Sequence, residues 1–511
     1  MPREVYLSAS GIPTGSDQSA NIAQWAYANR GSILVFDPPP GQMYVFGGIL
    51  LDSNYSGTKL RWEGYTQLPS NLTSPGVTTT PNFGGCWTGI VVGLADEVTL
   101  ENVMIHGNRL NMADNEHVIP IGVAGATNLR IEHGWRIKEI RGDAIYVGQA
   151  DWQNNTANPQ YIDIGDGVVM NSADDGRNAI SLISCSGGTI GKIRSIGVGG
   201  VVGGVVQPGG LDIEPDFGYQ SVTDITVEEL LVKTAGTSGI AVLGLSASGN
   251  NSQRDWNCHG ITLKTVRIVR TGTNGAGLAA AGFERCADVK VLDGEMAYLS
   301  TAGAGVIHDQ SQRVQARWKF NNVTYGAWLG ASDSLQQSRI DVEATNYTIA
   351  PVRTTCTVDV DVRARASASV PGSTAFGVQC LANSRSNVVQ TRTHYYVEAP
   401  YDGNIARAFR NEPGDPVAYG PGTEVRYGDW TGYANPTVTI DATIPKRNVT
   451  GMMQGSAYPQ IGTWAAGDIF QVVPAQYSQS TGKVLSSCVR LTSGSGNVHG
   501  TDWINNYGTD S

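Results

Sequence analysis

The stretch Ala144-Ile145-Tyr146-Val147 recurs in altered form along the chain and decides the fold. Ala179-Ile-Ser-Leu stands 35 residues further on, and Gly210-Leu-Asp-Ile a further 31. Related stretches carry a small residue or proline before alternating apolar positions, and their second residues are Ile90, Ile121, Ile145, Ile180, Leu211, Ile240, Leu278 and Val306. Steps of 24 to 38 residues with no helical period between the strands are typical of β-solenoid coils.

A second series of period-2 strands lies between these stretches. Its members are Val98-Thr-Leu-Glu, Asn128-Leu-Arg-Ile, Tyr161-Ile-Asp-Ile, Val222-Thr-Asp-Ile, Ile261-Thr-Leu-Lys, Asp288-Val-Lys-Val and Arg339-Ile-Asp-Val. Two or three strands per repeat predict an all-β chain folded as a right-handed parallel β-helix, with coils stacked ~4.8 Å apart. An antiparallel sandwich or propeller is the alternative, which the scarcity of Asn-Gly and Asp-Gly hairpin turns disfavours.

The two ends of the chain differ from its middle. A strand at Val5 to Leu7, a helix at Asn21 to Ala28 and a strand at Ser32 to Phe36 form a predicted cap that covers the open end of the stack. Tail strands are expected at Thr437-Val-Thr-Ile, Asp468-Ile-Phe-Gln-Val-Val and Cys488-Val-Arg-Leu. We therefore predict a cap at 1–84, a β-helix at 85–395, a linker at 396–440 and a C-terminal β-domain at 441–511.

Composition excludes several classes of function. The 511 residues include 64 Gly, only 16% are charged, and the net charge is -10 without a basic stripe, so nucleic acid is not an expected partner. No apolar run reaches the ~18 residues of a membrane helix, and no signal segment opens the chain. Seven scattered cysteines without CxxC spacing predict buried free thiols. No cofactor is expected, and no loop has a calcium-binding spacing.

The acidic coil Gly210-Leu-Asp-Ile-Glu-Pro-Asp is the strongest candidate for chemistry. Alternation places Leu211 and Ile213 inward, so Asp212 and Glu214 share the outer face, ~6.6 Å apart along the backbone. Ser181 and Ala241 in the adjacent coils would leave room for a ligand. The preceding coils bring further polar side chains to the same flank, namely Asp143, Tyr146, Asp174, Asp175, Arg177 and Asn178.

Two carboxyl groups are the equipment of glycoside hydrolysis, since one protonates the leaving oxygen while the other attacks or activates water. Crowded carboxylates also raise one another's pKa. The predicted catalytic residues are Asp212, Glu214, Asp174 and Asp175. The predicted substrate-binding residues are Arg177, Asn178, Asp143, Tyr146, Trp152, Asp216 and His308.

Other interpretations of these residues stay open. Asp174 and Asp175 could cap backbone groups at a turn, and Arg177 could form a salt bridge with Asp175 or Asp212 rather than meet an acidic sugar. A lyase would use a cation and a base, for which Arg177 and Tyr146 are candidates. A non-catalytic adhesin would only hold the sugar.

Motifs in the cap, in three successive coils, of which Gly210-Leu-Asp-Ile-Glu-Pro-Asp is the last, and in the tail carry a family resemblance. Ala20-Asn-Ile-Ala-Gln-Trp-Ala, with the strand after it, resembles the cap of phage tailspikes in the pectate-lyase-like β-helix superfamily. Gly142-Asp-Ala-Ile-Tyr-Val-Gly and Asp175-Gly-Arg-Asn-Ala-Ile-Ser resemble their enzymatic coils, and Gly462-Thr-Trp-Ala-Ala-Gly-Asp-Ile-Phe a small C-terminal module. The resemblance implies a homotrimer on a virion tail that degrades capsular or O-antigen polysaccharide at the bacterial surface. Gly142-Asp-Ala departs from the more usual Gly-Asp-Gly, and a virion-anchoring segment before the cap is not evident.

Overall fold

The computed structural model describes most of the chain and divides into two compact units, residues 1–294 and 295–511. The described residues are 2–70, 87–112, 118–151, 156–173, 175–202, 205–206, 208–234, 238–245, 257–270, 279–298, 304–331, 334–369, 375–380, 392–398, 405–411, 424–427, 453–455, 469–478, 483–491 and 503–508. The strand Lys290–Tyr298 contains the boundary between the units.

The cap is built as the sequence predicts, with small shifts of its bounds. Its elements are the strand Glu4–Tyr6, the 3-10 turn Leu7–Ser10, the α-helix Ser19–Ala28 and the strand Ile33–Phe36. The helix buries Ile22, Trp25 and Ala26. The Trp25 ring meets the Phe36 ring edge-on, with 6.0 Å between their centroids. An amphipathic helix therefore closes the first coil.

One sheet of unit 1, here called the flank sheet, contains the series of strands to which Ala144-Ile-Tyr-Val belongs. Its strands are Ile49–Leu51, Trp87–Gly93, Val118–Ala124, Ile145–Gly148, Ile180–Leu182, Leu211–Ile213, Ile240–Leu243 and Ala281–Glu284. All of these pairings with a described register are parallel, which excludes an antiparallel sandwich for these coils and confirms the parallel β-helix.

The predicted coil alignment is confirmed from Ile90 through Ile240. Successive positions pair in register along the series Ile90, Ile121, Ile145, Ile180, Leu211 and Ile240. The next step is wrong by three residues, because Ile240 pairs with Ala281 and not with Leu278, which lies outside the described residues. Phe283 follows in that strand and is fully buried, so this register fills the core.

One member of the second predicted series, Arg339-Ile-Asp-Val, lies in unit 2, in the strand Leu335–Tyr347. Most of the other members lie in the remaining strands of unit 1, several of which are longer than predicted. These strands are Tyr44–Val45, Lys59–Trp62, Thr66–Gln67, Thr99–Glu101, Met104–His106, Arg130–Ile131, Trp135–Lys138, Gln160–Ile164, Gly167–Met170, Cys185–Ile196, Val222–Thr234, Cys258–His259 and Thr262–Arg270. Short 3-10 turns occur at Ser53–Tyr55 and Arg109–Asn111, and an antiparallel pair joins Val201–Val202 to Val205–Val206.

One corner of the coils repeats a left-handed backbone. Asn128, Tyr161 and Asp224 have φ of 50°, 56° and 58°, and Gly187 and Gly260 occupy the same corner position with φ of 73° and 72°. Asn, Asp and Gly tolerate this conformation best, whereas Tyr161 is unusual there. The corner turns the chain sharply enough for the next strand to stack in register.

Unit 2 also contains stacked parallel strands. One row is Ala304–Asp309, Tyr325–Leu329, Ala350–Thr354, Ala375–Cys380 and Ile405–Asn411. Another, here called the groove sheet, is Gln315–Asn321, Leu335–Tyr347, Thr357–Ser369, His394–Glu398 and Glu424–Tyr427. Val306 pairs with Ala327 in the first row.

The C-terminal strands form a four-stranded sheet of their own. They are Met453–Gly455, Ile469–Ser478, Lys483–Arg490 and Trp503–Gly508, and the last three pair antiparallel. The expected strands near Asp468 and Cys488 are present, while Thr437-Val-Thr-Ile lies outside the described residues. The division at residues 396 and 441 stays a prediction.

Buried apolar side chains fill the coils, and the described cysteines follow the prediction. Trp62 and Trp135 in unit 1 and Trp318 in unit 2 are fully buried. Cys185, Cys258, Cys286 and Cys356 are buried free thiols. No helix in the described part of the chain is long and apolar enough to cross a membrane.

Candidate functional site

Asp212 lies at the centre of the flank sheet, between two small neighbours. It pairs in register with Ser181 in the preceding coil and Ala241 in the following one, as the sequence predicts. Leu211 and Ile213 on either side of it are buried in the core. The Asp212 side chain therefore leaves the sheet on its outer face, where the small neighbours leave space beside it.

Asp212 is nevertheless only 2% exposed. Burial raises the pKa of its carboxyl well above the usual range, and the charges of Glu214 and Asp143 raise it further, while Arg177 opposes them. A raised pKa is the property that a carboxyl group needs in order to act as a general acid.

Asn178 fixes the orientation of this carboxyl group. Its Oδ1 accepts a hydrogen bond from the backbone N–H of Gly209 at 3.0 Å, which turns its Nδ2 toward Asp212. Nδ2 then donates to Oδ2 of Asp212 and to Oγ of Ser181, both at 3.1 Å. Oδ1 of Asp212 is buried and has no hydrogen-bond partner among the described residues. Because Oδ2 already accepts from the amide, Oδ1 is the oxygen available to carry a proton when Asp212 is protonated.

Asp143 and Arg177 form a buried ion pair behind Asp212. Nη1 of Arg177 lies 3.2 Å from Oδ2 of Asp143, and the Asn178 backbone N–H donates to Oδ1 of Asp143 at 3.2 Å. Asp143 is fully buried, which raises its pKa, and the Arg177 guanidinium counters that effect. Arg177 thus forms a salt bridge with Asp143, a partner other than the two considered from the sequence.

Glu214 continues the acidic strand on the side of Asp212 that is open to solvent. It is partly exposed, and its backbone N–H donates to the carbonyl of Leu182 at 3.1 Å. Its charge is the largest single electrostatic contribution to the raised pKa of Asp212. The structure therefore supplies one buried carboxyl group with a raised pKa and one partly exposed carboxyl group two residues apart.

A stacked aromatic pair follows the acidic strand. The rings of Phe217 and Tyr219 lie parallel, with 5.3 Å between centroids and an angle of 2°. Slight burial and the charges of Asp151 and Asp216 raise the pKa of Tyr219. Asp216 is exposed, and its backbone N–H donates to Gln220. Phe217 was not among the sequence candidates, although the spacing Phe-Gly-Tyr beside an acidic coil could have indicated it.

Four more of the predicted residues have different outcomes. Oδ2 of Asp175 pairs with Nη1 of Arg109 at 2.9 Å and of Arg141 at 2.5 Å, and Oδ1 accepts from the Gly176 N–H. This pairing favours a structural role for Asp175 over a catalytic one. Tyr146 is partly buried and pairs in register with Ser181, so it lies on the same flank. Asp174 and Trp152 lie outside the described residues.

The prediction that His308 binds substrate is wrong. His308 is fully buried within unit 2, where its Nε2 accepts a hydrogen bond from Nε1 of Trp318 at 3.2 Å. Burial lowers its pKa to about 3, so the ring is neutral. A polysaccharide on the surface does not reach it.

The described residues contain no group of three or more His, Cys, Asp or Glu side chains that could hold a metal ion. No family model and no curated protein matches the chain. DFA-IIIase from Arthrobacter chlorophenolicus A6 is a similar solved structure at 8% identity and a TM-score of 0.37, covering 83% of this chain and 94% of that one.

Two further solved structures are similar over long stretches. The A-module of the mannuronan C-5 epimerase AlgE4 from Azotobacter vinelandii has 12% identity and a TM-score of 0.35, covering 83% of this chain and 93% of that one. A mutant tailspike of the E. coli bacteriophage HK620, in complex with a pentasaccharide, has 10% identity and a TM-score of 0.35, covering 92% and 81%. These likenesses assign no activity to this chain.

Proposed function

We propose that the protein is a tailspike-type depolymerase that binds a bacterial capsular or O-antigen polysaccharide on the flank sheet and hydrolyses its glycosidic bonds. The observation that carries the proposal is the buried carboxyl of Asp212, whose Oδ2 is held by Asn178 while Oδ1 has no partner among the described residues. Burying an unsatisfied acidic oxygen costs folding free energy. Such a group is explained by a hydrogen bond that forms only when a substrate arrives.

The two carboxyl groups take different roles. Asp212 donates its proton from Oδ1 to the oxygen of the leaving sugar, since burial keeps that proton in place. Glu214 is partly exposed, so it acts as the carboxylate that attacks the anomeric carbon or deprotonates a water molecule. Each cleaved bond consumes one water molecule and creates one new reducing end.

The residues around the pair complete the proposed site. Asn178, which the sequence places among substrate ligands, acts instead as a positioning residue for Asp212. Arg177 and Asp143 add a buried ion pair beside it. Phe217 and Tyr219 offer an apolar surface on which sugar rings stack. Assembly as a homotrimer on a virion tail is part of the proposal and rests on the resemblance of the cap and acidic coils to tailspikes.

Mass spectrometry of the products tests the reaction. Incubation with a panel of purified capsular and O-antigen polysaccharides should release oligosaccharides that each carry one added water and show no new ultraviolet absorbance. Products at the unhydrated mass that absorb as unsaturated uronates would mean elimination by a lyase. Binding without any products would mean a non-catalytic adhesin. Either of these outcomes contradicts the proposal.

Replacement of Asn178 by alanine tests the positioning role. We expect the cleavage rate to fall by about 10–100-fold, because Asp212 loses the hydrogen bond that fixes the orientation of its carboxyl group. The amide stabilises the ionised form of Asp212, so its loss raises the pKa of Asp212 further. The alkaline limb of the pH–rate profile should therefore move to higher pH.

The matched control is Asn346→Ala, which removes an exposed amide that donates to Asn321 in unit 2. The control should keep both the rate and the pH profile. A slower Asn178→Ala enzyme with an unmoved alkaline limb would mean that Asn178 only supports the fold.

A further inference from the structure

The outer face of the groove sheet in unit 2 carries rows of charge that alternate from coil to coil. In one row Arg317 pairs in register with Asp341, and Asp341 with Arg363. Two residues along each strand, Lys319 pairs with Glu343, and Glu343 with Arg365. Each carboxylate thus lies between cations from the coils before and after it.

Two adjoining cavities open on this face. The first, of about 260 Å³, and the second, of about 490 Å³, share Asp341 and Arg363 in their walls. The charged residues that line them are Arg317, Lys319, Arg339, Arg363 and Arg365 against Asp341, Glu343 and Asp361. Five cations against three carboxylates give this face a net charge of +2, in a chain whose net charge is -10.

In the first cavity the cations extend further into solvent than the carboxylates beside them, whereas in the second cavity the side chain of Asp361 is 67% exposed. Arg317, Lys319, Arg363 and Arg365 are exposed, whereas Asp341 and Glu343 are only partly exposed. In the ion pair of Arg339 with Asp341, the arginine side chain is 66% exposed and the aspartate 33%. A molecule that approaches the first cavity therefore meets guanidinium and ammonium groups first.

Tyr396 adds an aromatic ring to the second cavity. The guanidinium of Arg363 lies 5.3 Å from the Tyr396 ring centroid, and both residues pair in register across neighbouring strands. His394, in the same strand as Tyr396, pairs with Asp361 at 2.9 Å. Planar guanidinium groups bind carboxylates in bidentate fashion, and aromatic rings stack on sugars.

We propose that the groove sheet of unit 2 is a binding surface for an acidic polysaccharide, with Arg317, Lys319, Arg363 and Arg365 as its carboxylate ligands. The occupant is a chain of carboxylate-bearing sugars. Cations on the outer two of three successive strands lie two coil spacings apart, ~9.6 Å, so they contact an extended polymer at more than one sugar. This binding does not depend on cleavage at Asp212.

Calorimetric titration of the full chain with polygalacturonate tests the surface, with neutral dextran as the comparison. The experiment uses the Asp212→Asn variant, so that the polymer is not cut. Polygalacturonate should bind at about 50 mM NaCl and weaken strongly at about 500 mM, because salt screens exposed charges. Adding Arg317→Ala and Arg363→Ala should weaken binding by about tenfold or more.

The matched control is the pair Arg130→Ala and Arg136→Ala, which removes two exposed arginines from unit 1 and should leave the dissociation constant unchanged. Absence of binding, equal binding of dextran, or an equal loss in the control overturns the proposal. If the groove variant instead changes the mass measured by light scattering without affecting glycan binding, the face is an interface between copies, which also overturns it. None of these readouts requires that the protein cleave a glycan.

Discussion

Replacing Asp212 with asparagine should lower the rate of polysaccharide cleavage by about 10²–10⁴-fold, the usual contribution of a general acid. Asparagine keeps an oxygen that accepts from Asn178 but provides no acidic proton at the position of Oδ1. Initial rates of reducing-end formation on the polysaccharide that the wild type cleaves provide the measurement. Glu214→Gln should reduce the rate as well, because it removes the partly exposed carboxylate of the pair.

The Asp212→Asn variant must fold if its loss of activity is to be read as a loss of catalysis. The raised pKa of Asp212 predicts how its replacement changes the pH dependence of stability. The folded state holds the proton more tightly than the unfolded state, whose carboxyl has a pKa of about 3.9. The free energy of unfolding of the wild type therefore falls as pH rises from about 4 through the raised pKa. Asp212→Asn lacks this loss and should be at least as stable at neutral pH.

Asp163→Asn is the matched control, since Asp163 is a 48% exposed aspartate of unit 1 that pairs with Arg130. It should retain the wild-type rate. Cleavage that persists unchanged in Asp212→Asn would refute the assignment of the site, even if the protein proves to be a depolymerase.

The flank sheet shows how far a sequence pattern determines a coil register. The alternation of small and apolar residues predicted the pairs from Ile90 to Ile240 because each strand offers one choice that buries branched side chains. Near residue 280 the stretch Gly-Leu-Ala-Ala-Ala-Gly-Phe offers two choices three residues apart. Burial of Phe283 decides between them, and that depends on the neighbouring coils rather than on the local pattern.

Some features of the candidate site could likewise be predicted from the sequence, and others could not. Asp212 and its neighbours Ser181 and Ala241 followed from register alone. The contacts of Asn178 and the Asp143–Arg177 pair join residues more than 30 positions apart through the turns before the strands, which alternation does not describe. His308 could have been excluded, because it has the same parity as the inward-facing Val306 and so points into the core.

The second prediction with a large expected effect concerns the contribution of the Arg177–Asp143 ion pair to stability. Replacing Arg177 with leucine should lower the free energy of unfolding by about 3–5 kcal/mol at pH 8, because it leaves a fully buried carboxylate without its cation. Without Arg177 the pKa of Asp143 rises further, so the loss should shrink as pH falls toward about 4, the pKa of the carboxyl in the unfolded state. Urea unfolding at several pH values provides the measurement.

Arg130→Leu serves as the comparison, since its ion pair with Asp163 is 63% and 48% exposed and spans 3.5 Å. Its effect should stay below about 1 kcal/mol at every pH. Restoring stability through Asp143→Asn in the Arg177→Leu background would tie the loss to the unpaired carboxylate. The loss of unfolding free energy could instead be independent of pH and persist in the double variant. It would then come from packing of the arginine side chain, and the charge of Asp143 would not contribute to the stability of this coil.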